Sequence, residues 1–135
     1  MACLDLFSGT GALGFEALSR GASKAVMVEQ SLVAFKSLME NKKTLNAQAA
    51  EIIHRDAMQF LAGNSELFDV IFLDPPFNQG WLPKLLPQLQ VHLTADGVVY
   101  AETEQPLKDE GDWQVWKHGK AGNVYYHLLK SAHAN

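Results

Sequence analysis

Cys3 is the only cysteine in the chain. With no second thiol there is no internal disulfide, and a reducing compartment, the cytoplasm, is expected. Cys3 lies in an apolar strand-like run and reads as a small core residue. Long hydrophobic runs are also missing. Stretches such as Val70 to Leu73 are far too short to cross a membrane, and no basic n-region with an apolar core opens the chain as a signal peptide would. The five histidines are scattered without zinc-type spacing, so no metal is expected, and no Ser-His-Asp arrangement suggests itself. Positive charge is scarce: 11 Lys and Arg face 15 Asp and Glu, a net charge of -4 that speaks against a broad nucleic-acid footprint. There is no repeat, low-complexity tract or internal linker. The remaining composition, 47% hydrophobic and 19% charged, is that of one globular domain, residues 1–135, able to bury one sizeable core. The first motif begins within five residues of Met1, which reads as a domain missing a preceding segment.

Strand-like and helical patterns alternate. Strands are expected at Ala2 to Phe7, Lys24 to Glu29, Glu51 to Arg55, Phe68 to Leu73 and Gly97 to Glu102. Helices are expected at Ala12 to Arg20, stopped by Gly21, at Ser31 to Asn46 with the stripe Leu32, Phe35, Leu38, Met39 and Leu45, at Ala57 to Leu61, and at Trp81 to Val91. Pro83 suits a first helical turn and Pro87 is expected to kink that last helix. The run Phe68 to Leu73 is apolar at nearly every position after Asp69, as suits a central parallel strand covered on both faces. Trp113 to His118 and Val124 to Leu129 flank a Gly-containing loop and read as a hairpin. Strand–helix units followed by a hairpin predict an α/β fold with a parallel sheet and an antiparallel edge.

Between the first strand and first helix stands Asp5-Leu6-Phe7-Ser8-Gly9-Thr10-Gly11-Ala12-Leu13-Gly14, a G-x-G-x-x-G loop, and Glu29 ends the next strand. This is the fingerprint of an adenosine-containing ligand: glycines allow the backbone to approach, and the acidic strand end can accept ribose hydroxyls. Asp5 shifts the balance. A carboxylate beside the loop would repel a dinucleotide's pyrophosphate but suits the α-ammonium of S-adenosylmethionine. Asp56 follows the third strand and can accept from an adenine amino group while the Ala57 amide donates to a ring nitrogen; Asp56 also suits a helix N-cap. Three acidic residues thus end three successive strands, at the edge where open parallel sheets bind ligands. The candidate cofactor site is Asp5, Phe7, Ser8, Gly9, Thr10, Gly11, Glu29, Asp56 and Ala57.

Asp74-Pro75-Pro76-Phe77 closes the fourth strand. Two prolines cannot continue a ladder and make a stiff loop beside the glycine loop. Asp74 and the Pro75 carbonyl both accept hydrogen bonds, so together they can hold an exocyclic NH2 group with its lone pair toward a sulfonium methyl. Positioning carries much of the rate of such an in-line displacement. Phe77 can stack on an exposed base. Asp74, Pro75, Pro76 and Phe77 are the candidate catalytic residues. Lys42, Lys43, Lys84, Lys117 and Lys120 can reach phosphates. An NAD-dependent oxidoreductase would share the glycine loop without needing the Asp-Pro-Pro-Phe segment, and a non-catalytic binding module would not need it either.

That tetrapeptide, in this place, resembles the catalytic motif of amino-group methyltransferases. The segment Leu4-Asp5-Leu6-Phe7-Ser8-Gly9-Thr10-Gly11-Ala12-Leu13-Gly14-Phe15-Glu16-Ala17-Leu18-Ser19-Arg20-Gly21 goes further and closely resembles the RsmD family, bacterial guanine-N2 methyltransferases of small-subunit (16S) ribosomal RNA. Ala121-Gly122-Asn123-Val124-Tyr125-Tyr126 is similar to that family's C-terminal hairpin. The resemblance implies a Rossmann-like class I methyltransferase with a mostly parallel seven-stranded sheet, S-adenosylmethionine as cofactor, Asp5, Glu29 and Asp56 touching it, and Asp74 and Phe77 facing the target base. It implies guanine N2 as acceptor and small-subunit ribosomal RNA as partner. The short chain leaves little surface to read sequence, so a partly assembled 30S particle is the expected substrate; a monomer is expected. A DNA adenine-N6 methyltransferase shares the tetrapeptide but usually needs a target-recognition region, for which this chain has no room. The resemblance implies an N-terminal segment that helps close the cofactor site and supplies basic residues; the sequence is read as lacking it, an expectation in keeping with the acidic net charge.

Overall fold

In a computed structural model of the chain, residues 1–9, 11–74, 81–109 and 112–131 are described, residues 81–83 by backbone alone. Strand and helix alternate as β1 (Ala2–Asp5), α1 (Ala12–Ser19), β2 (Lys24–Glu29), α2 (Leu32–Leu45), β3 (Ala50–His54), α3 (Ala57–Gly63), β4 (Phe68–Leu73) and α4 (Trp81–Leu89). A short 3-10 turn (Gln90–His92) then leads into β5 (Leu93–Thr103), β6 (Trp113–Ala121) and β7 (Val124–Ser131). One seven-stranded sheet runs β3-β2-β1-β4-β5-β7-β6. The first five strands pair in parallel; β7 joins β5 antiparallel and pairs antiparallel with β6. The chain therefore reverses its direction of travel at β1, and β1 and β4 lie side by side at that switch point.

Side-chain alternation divides the core. Leu4, Leu6, Val26, Val28, Ile71, Leu73, Val99, Ala101 and Leu129 face α3 and α4, meeting Phe60, Leu61, Leu85, Leu86 and Leu89. Ala25, Met27 and Ala50 face the other way, onto Leu38 of α2 and Phe15 and Leu18 of α1. Phe72 and Tyr100 share this second face by register, since Asp5 pairs with Phe72 and Phe72 with Tyr100. They are only half-buried.

The pattern-based elements are all present, with shifted ends. The first strand stops at Asp5, two residues earlier than expected, because Leu6 and Phe7 begin the loop. The third covers Ala50–His54 and so starts and ends one residue early. The fifth begins at Leu93, not Gly97; its pairing with β4 shifts register between Phe68 and Val70, and this irregular start hid Leu93 to Asp96 from a period-2 reading. The third helix extends to Gly63. The hairpin strands run to Ala121 and Ser131, leaving only Gly122 and Asn123 as the turn. The first helix ends as Gly21 suggested: the Ala22 and Gly21 N–H groups return to Ala17 and Leu18 carbonyls, a Schellman closure. Pro87 lies inside α4, exposed. Among the described residues no helix is long and apolar enough to cross a membrane.

Candidate active site

The loop after β1 is stitched into its neighbours. The Leu6 N–H donates to the Phe72 carbonyl of β4 at 3.3 Å, and the Ser8 N–H to the Val28 carbonyl of β2 at 3.1 Å. The chain then turns through Gly9, at φ 54, and Gly11, at φ 87, into α1. A side chain on Gly11 would collide with Phe15, Leu38 and Met27, so this position needs glycine for space as well as for conformation. Around Gly9 there is open space. Gly11 caps α1 with no side-chain hydrogen bond of its own, and the Asp5 carboxylate meets the Gly14 backbone in the first helical turn.

Glu29, at the end of β2, holds this loop. One carboxylate oxygen accepts the Gly9 N–H and the other the Ser31 N–H, each at 2.8 Å. It therefore ties the glycine loop to the start of α2, where the Ser31 hydroxyl accepts the Ala34 N–H at the N-cap. Ser31 was missed as a site neighbour; a serine two residues beyond an acidic strand end was its only signal. Asp56 is the N-cap of α3, its carboxylate accepting the Gln59 N–H at 3.2 Å, and Ala57 is buried at the first turn. The third strand ends two residues earlier, at His54, so Asp56 reaches the edge as a helix cap rather than as a strand end. His54 itself stacks on Phe35 with ring centroids 5.0 Å apart and meets the Gln30 carbonyl at 3.0 Å.

Asp5 is the exceptional residue. It is 2% exposed, and its Oδ1 has no hydrogen-bond partner among the described residues. The Ser8 hydroxyl donates to the Asp5 backbone carbonyl at 3.0 Å. Burial pushes the carboxyl up to about 7; nearby Asp74 pushes the same way, while hydrogen bonds from the loop oppose it. A buried carboxylate with an unmet acceptor is costly in a folded protein, so such a group marks a place for a donor or cation. An α-ammonium fits that acceptor, and the glycine cradle fits the rest of a nucleoside. A pyrophosphate would face the same carboxylate and be repelled. The donor set thus fits S-adenosylmethionine.

Asp74 stands just past β4, exposed, with its carboxyl raised by partial desolvation and by Glu102. Asp74 and Glu102 each lie one residue beyond the Leu73–Ala101 pair. Glu102 accepts the Tyr100 hydroxyl at 2.9 Å, which together with burial raises that phenol, and Tyr126 is the β7 partner of Glu102. Glu102 and Tyr100 were missed from sequence. Glu102 obeys the same rule that found Glu29, an acidic residue near the end of a parallel strand, and that rule was not carried to β5. Thr10 and Pro75, Pro76 and Phe77 lie outside the described residues. Of the candidate residues, Asp5, Phe7, Ser8, Gly9, Gly11, Glu29, Asp56, Ala57 and Asp74 all fall at the carboxyl edge of β1 to β4. Among the described residues no cluster of His, Cys, Asp and Glu could hold a metal.

Residues 1–130 match the family described as conserved hypothetical protein 95. The chain is 35% identical over 133 residues to ribosomal RNA small subunit methyltransferase D of Escherichia coli strain K12, covering 95% of this chain and 67% of that protein. It is 36% identical over 137 residues to the protein of the same name from Haemophilus influenzae, covering 96% and 71%. The solved structure of the Escherichia coli protein yhhF superimposes with a TM-score of 0.86 at 35% identity, over 96% of this chain and 75% of that one. By the extent and identity of these matches the chain belongs to the RsmD family of S-adenosylmethionine-dependent methyltransferases.

Proposed function

We propose that this chain transfers a methyl group from S-adenosylmethionine to the exocyclic N2 of a guanine in small-subunit (16S) ribosomal RNA. The observation that carries the reading is the buried Asp5 carboxylate, whose Oδ1 has no partner among the described residues, beside the glycine loop, with Asp74 at the next strand end over. The two relatives named above supply the ribosomal RNA half of the reading.

When bound, S-adenosylmethionine supplies a methyl group activated on a sulfonium. The protein's work is to hold and aim. Asp5 receives the ammonium end. Glu29 already fixes Gly9 and Ser31, and each of its oxygens keeps a second lone pair for a ribose hydroxyl. Asp56 accepts from the adenine amino group, and the Ala57 amide donates to a ring nitrogen. Asp74 accepts one hydrogen of the target NH2 and the Pro75 carbonyl the other, which directs the nitrogen lone pair at the methyl; Phe77 stacks on the base. The nitrogen sheds a proton as it is methylated. Asp74, its carboxyl raised beside Glu102, is placed to take it. A base held this way must be unpaired or flipped from its stack. RNA of this kind places the enzyme in the cytoplasm. The chain acts as a monomer on a partly assembled 30S particle, whose fold supplies the specificity that a small surface cannot.

The test is transfer of labelled methyl groups to separate ribosomal RNA and DNA pools, by the wild type and by Asp74→Asn. Label in RNA alone, lost in the variant, is the expected result. Label in DNA and none in RNA would replace this reading with a DNA adenine-N6 enzyme.

A further inference from the structure

The β6–β7 hairpin differs in charge from the rest of the chain. Trp113–Ser131 holds three of the chain's 11 Lys and Arg and none of its 15 Asp and Glu. β6 is the edge of the sheet, and its pairing with β7 shifts register between Val115 and Lys117. That bulge at Trp116 changes which way the side chain is aimed. Trp113 and Val115 face the α4 side of the core, where the Trp113 indole N–H donates to the Leu86 carbonyl at 2.8 Å. Trp116 instead shares the opposite face with Lys117, the partner of Leu128, and with Lys130, two residues further along β7. The Lys130 ammonium sits 3.8 Å from the Trp116 ring centroid and that of Lys117 4.6 Å. Trp116 is 49% exposed. Tyr126, 40% exposed, lies on the same face, its ring spread over Gly119, where any side chain would strike it. Among the described residues none of Lys117, Lys120 and Lys130 forms an ion pair with a carboxylate.

Protection of an edge strand accounts for a bulge and for lysines. It does not account for a tryptophan with half its surface in water, which invites association. The combination of exposed aromatics with unpaired ammonium groups fits single-stranded nucleic acid, whose bases stack and whose phosphates pair. The location fits as well. Tyr126 pairs directly with Glu102, beside Asp74. From Tyr126, two residues down β7 and one strand across lead to Lys117 and Trp116, about 16 Å from Asp74 when the three strand spacings and two residues of rise are combined.

We infer that the Trp116–Lys117–Lys130 face of the hairpin is the docking surface for the single-stranded RNA next to the methylated base: the two lysines pair with phosphates, and Trp116, relieved of one ammonium, stacks on a neighbouring base. The inference rests on the ribosomal RNA reading above. It also tells apart two of the lysines first picked out as phosphate contacts, since Lys120 faces the other way, over Tyr125.

Fluorescence anisotropy with a labelled guanine-containing RNA of about twelve nucleotides, at several salt concentrations, tests it. The Lys117→Ala/Lys130→Ala variant should bind about tenfold more weakly near 0.1 M salt, with a log–log salt slope shallower by about 1.4, two phosphates at ~0.7 each for single strands. Trp116→Ala should weaken binding by about tenfold with the slope unchanged, Trp116→Phe much less, and Lys120→Ala by under twofold. S-adenosylmethionine affinity and melting temperature should stay at wild-type values in all four. If the wild type binds RNA and the double variant binds it equally well with the same slope, the docking surface is refuted and the ribosomal RNA reading stands. If the wild type binds the cofactor but no RNA of any kind, both fall. If the variants alter self-association on a sizing column and leave RNA binding intact, the face is a protein interface and the inference is wrong.

Discussion

The two halves of the sheet carry their unmet chemistry in opposite places. Around β1, β2 and β3 both faces are covered, by α1 and α2 on one side and the α3 side of the core on the other, and the unsatisfied atom among the described residues is inside: Oδ1 of Asp5, a residue 2% exposed. In the β5–β7 half the interior is settled. His127, 1% exposed, meets the Ala101 carbonyl through Nδ1 at 3.2 Å and accepts the Leu107 N–H on Nε2 at 3.0 Å, a fully used neutral ring. What is unmet there lies outside, in Trp116, Tyr126 and three lysines. A buried unmet acceptor calls for a small ligand that the fold can surround, and an exposed aromatic and basic face for a large one that it cannot. Asp74 and Glu102 sit on the border between the halves, where the two ligands would meet.

The border should give the largest effect. Asp74→Ala should cut methyl transfer by about a hundredfold or more, the scale of a misplaced reacting group. Its S-adenosylmethionine affinity, measured by calorimetry, should stay within a few-fold of wild type. Retained turnover would remove Asp74 from the reaction and dissolve the border. Next is Glu29→Ala, which frees the Gly9 and Ser31 N–H groups and any ribose contact. Cofactor binding should weaken by roughly 1–3 kcal/mol, with RNA affinity unchanged; loss of both together would blur the two halves.

Asp5 sharpens the comparison through pH. Its folded carboxyl, at about 7, lies above the unfolded value, so ionising it costs stability as pH rises from about 4 to 7. A cofactor ammonium favours the ionised form, so binding should release a proton. Affinity should then rise by up to about tenfold between pH 6 and 8 and level off above that. Asp5→Asn should flatten that profile, weaken cofactor binding and raise the melting temperature of the free protein at pH 8. A variant that melts lower and keeps the pH profile would mean Asp5 is structural.

His127 should show the opposite sign and the smallest effect. Its folded pKa is lowered by burial, so its contribution to stability is present at neutral pH and lost as pH falls through the ordinary histidine range near 6.5. His127→Leu should cost about 1 kcal/mol at pH 7.5 in chemical denaturation, without that acid-side loss and without changing cofactor affinity.

Much of this was legible in the residues. Asp5, Glu29 and Asp74 could be placed because apolar runs end visibly in a carboxylate, and the glycine loop because its spacing has one structural use. Strand ends were less legible. Leu6 and Phe7 are as apolar as a strand but leave the ladder, and Leu93 to Asp96 join one through an irregular register that no alternation reveals. The double role of Glu29, on Gly9 and Ser31, depends on two backbone N–H groups that carry no sequence signal. Lys117 and Lys120 looked equivalent as solvated charges. Only the bulge at Trp116 and the pairing of β6 with β7 put them on opposite faces.

The central claim is methylation of a guanine amino group, and mass spectrometry of nucleosides tests it most directly. Small-subunit ribosomal RNA lacking the modification, free or in a partly assembled 30S particle, would be incubated with the protein and S-adenosylmethionine, digested and analysed. The account predicts N2-methylguanine as the new nucleoside, with more of it from the particle than from a short oligonucleotide. N6-methyladenine or a carbon-methylated pyrimidine in its place, with no N2-methylguanine, would contradict it.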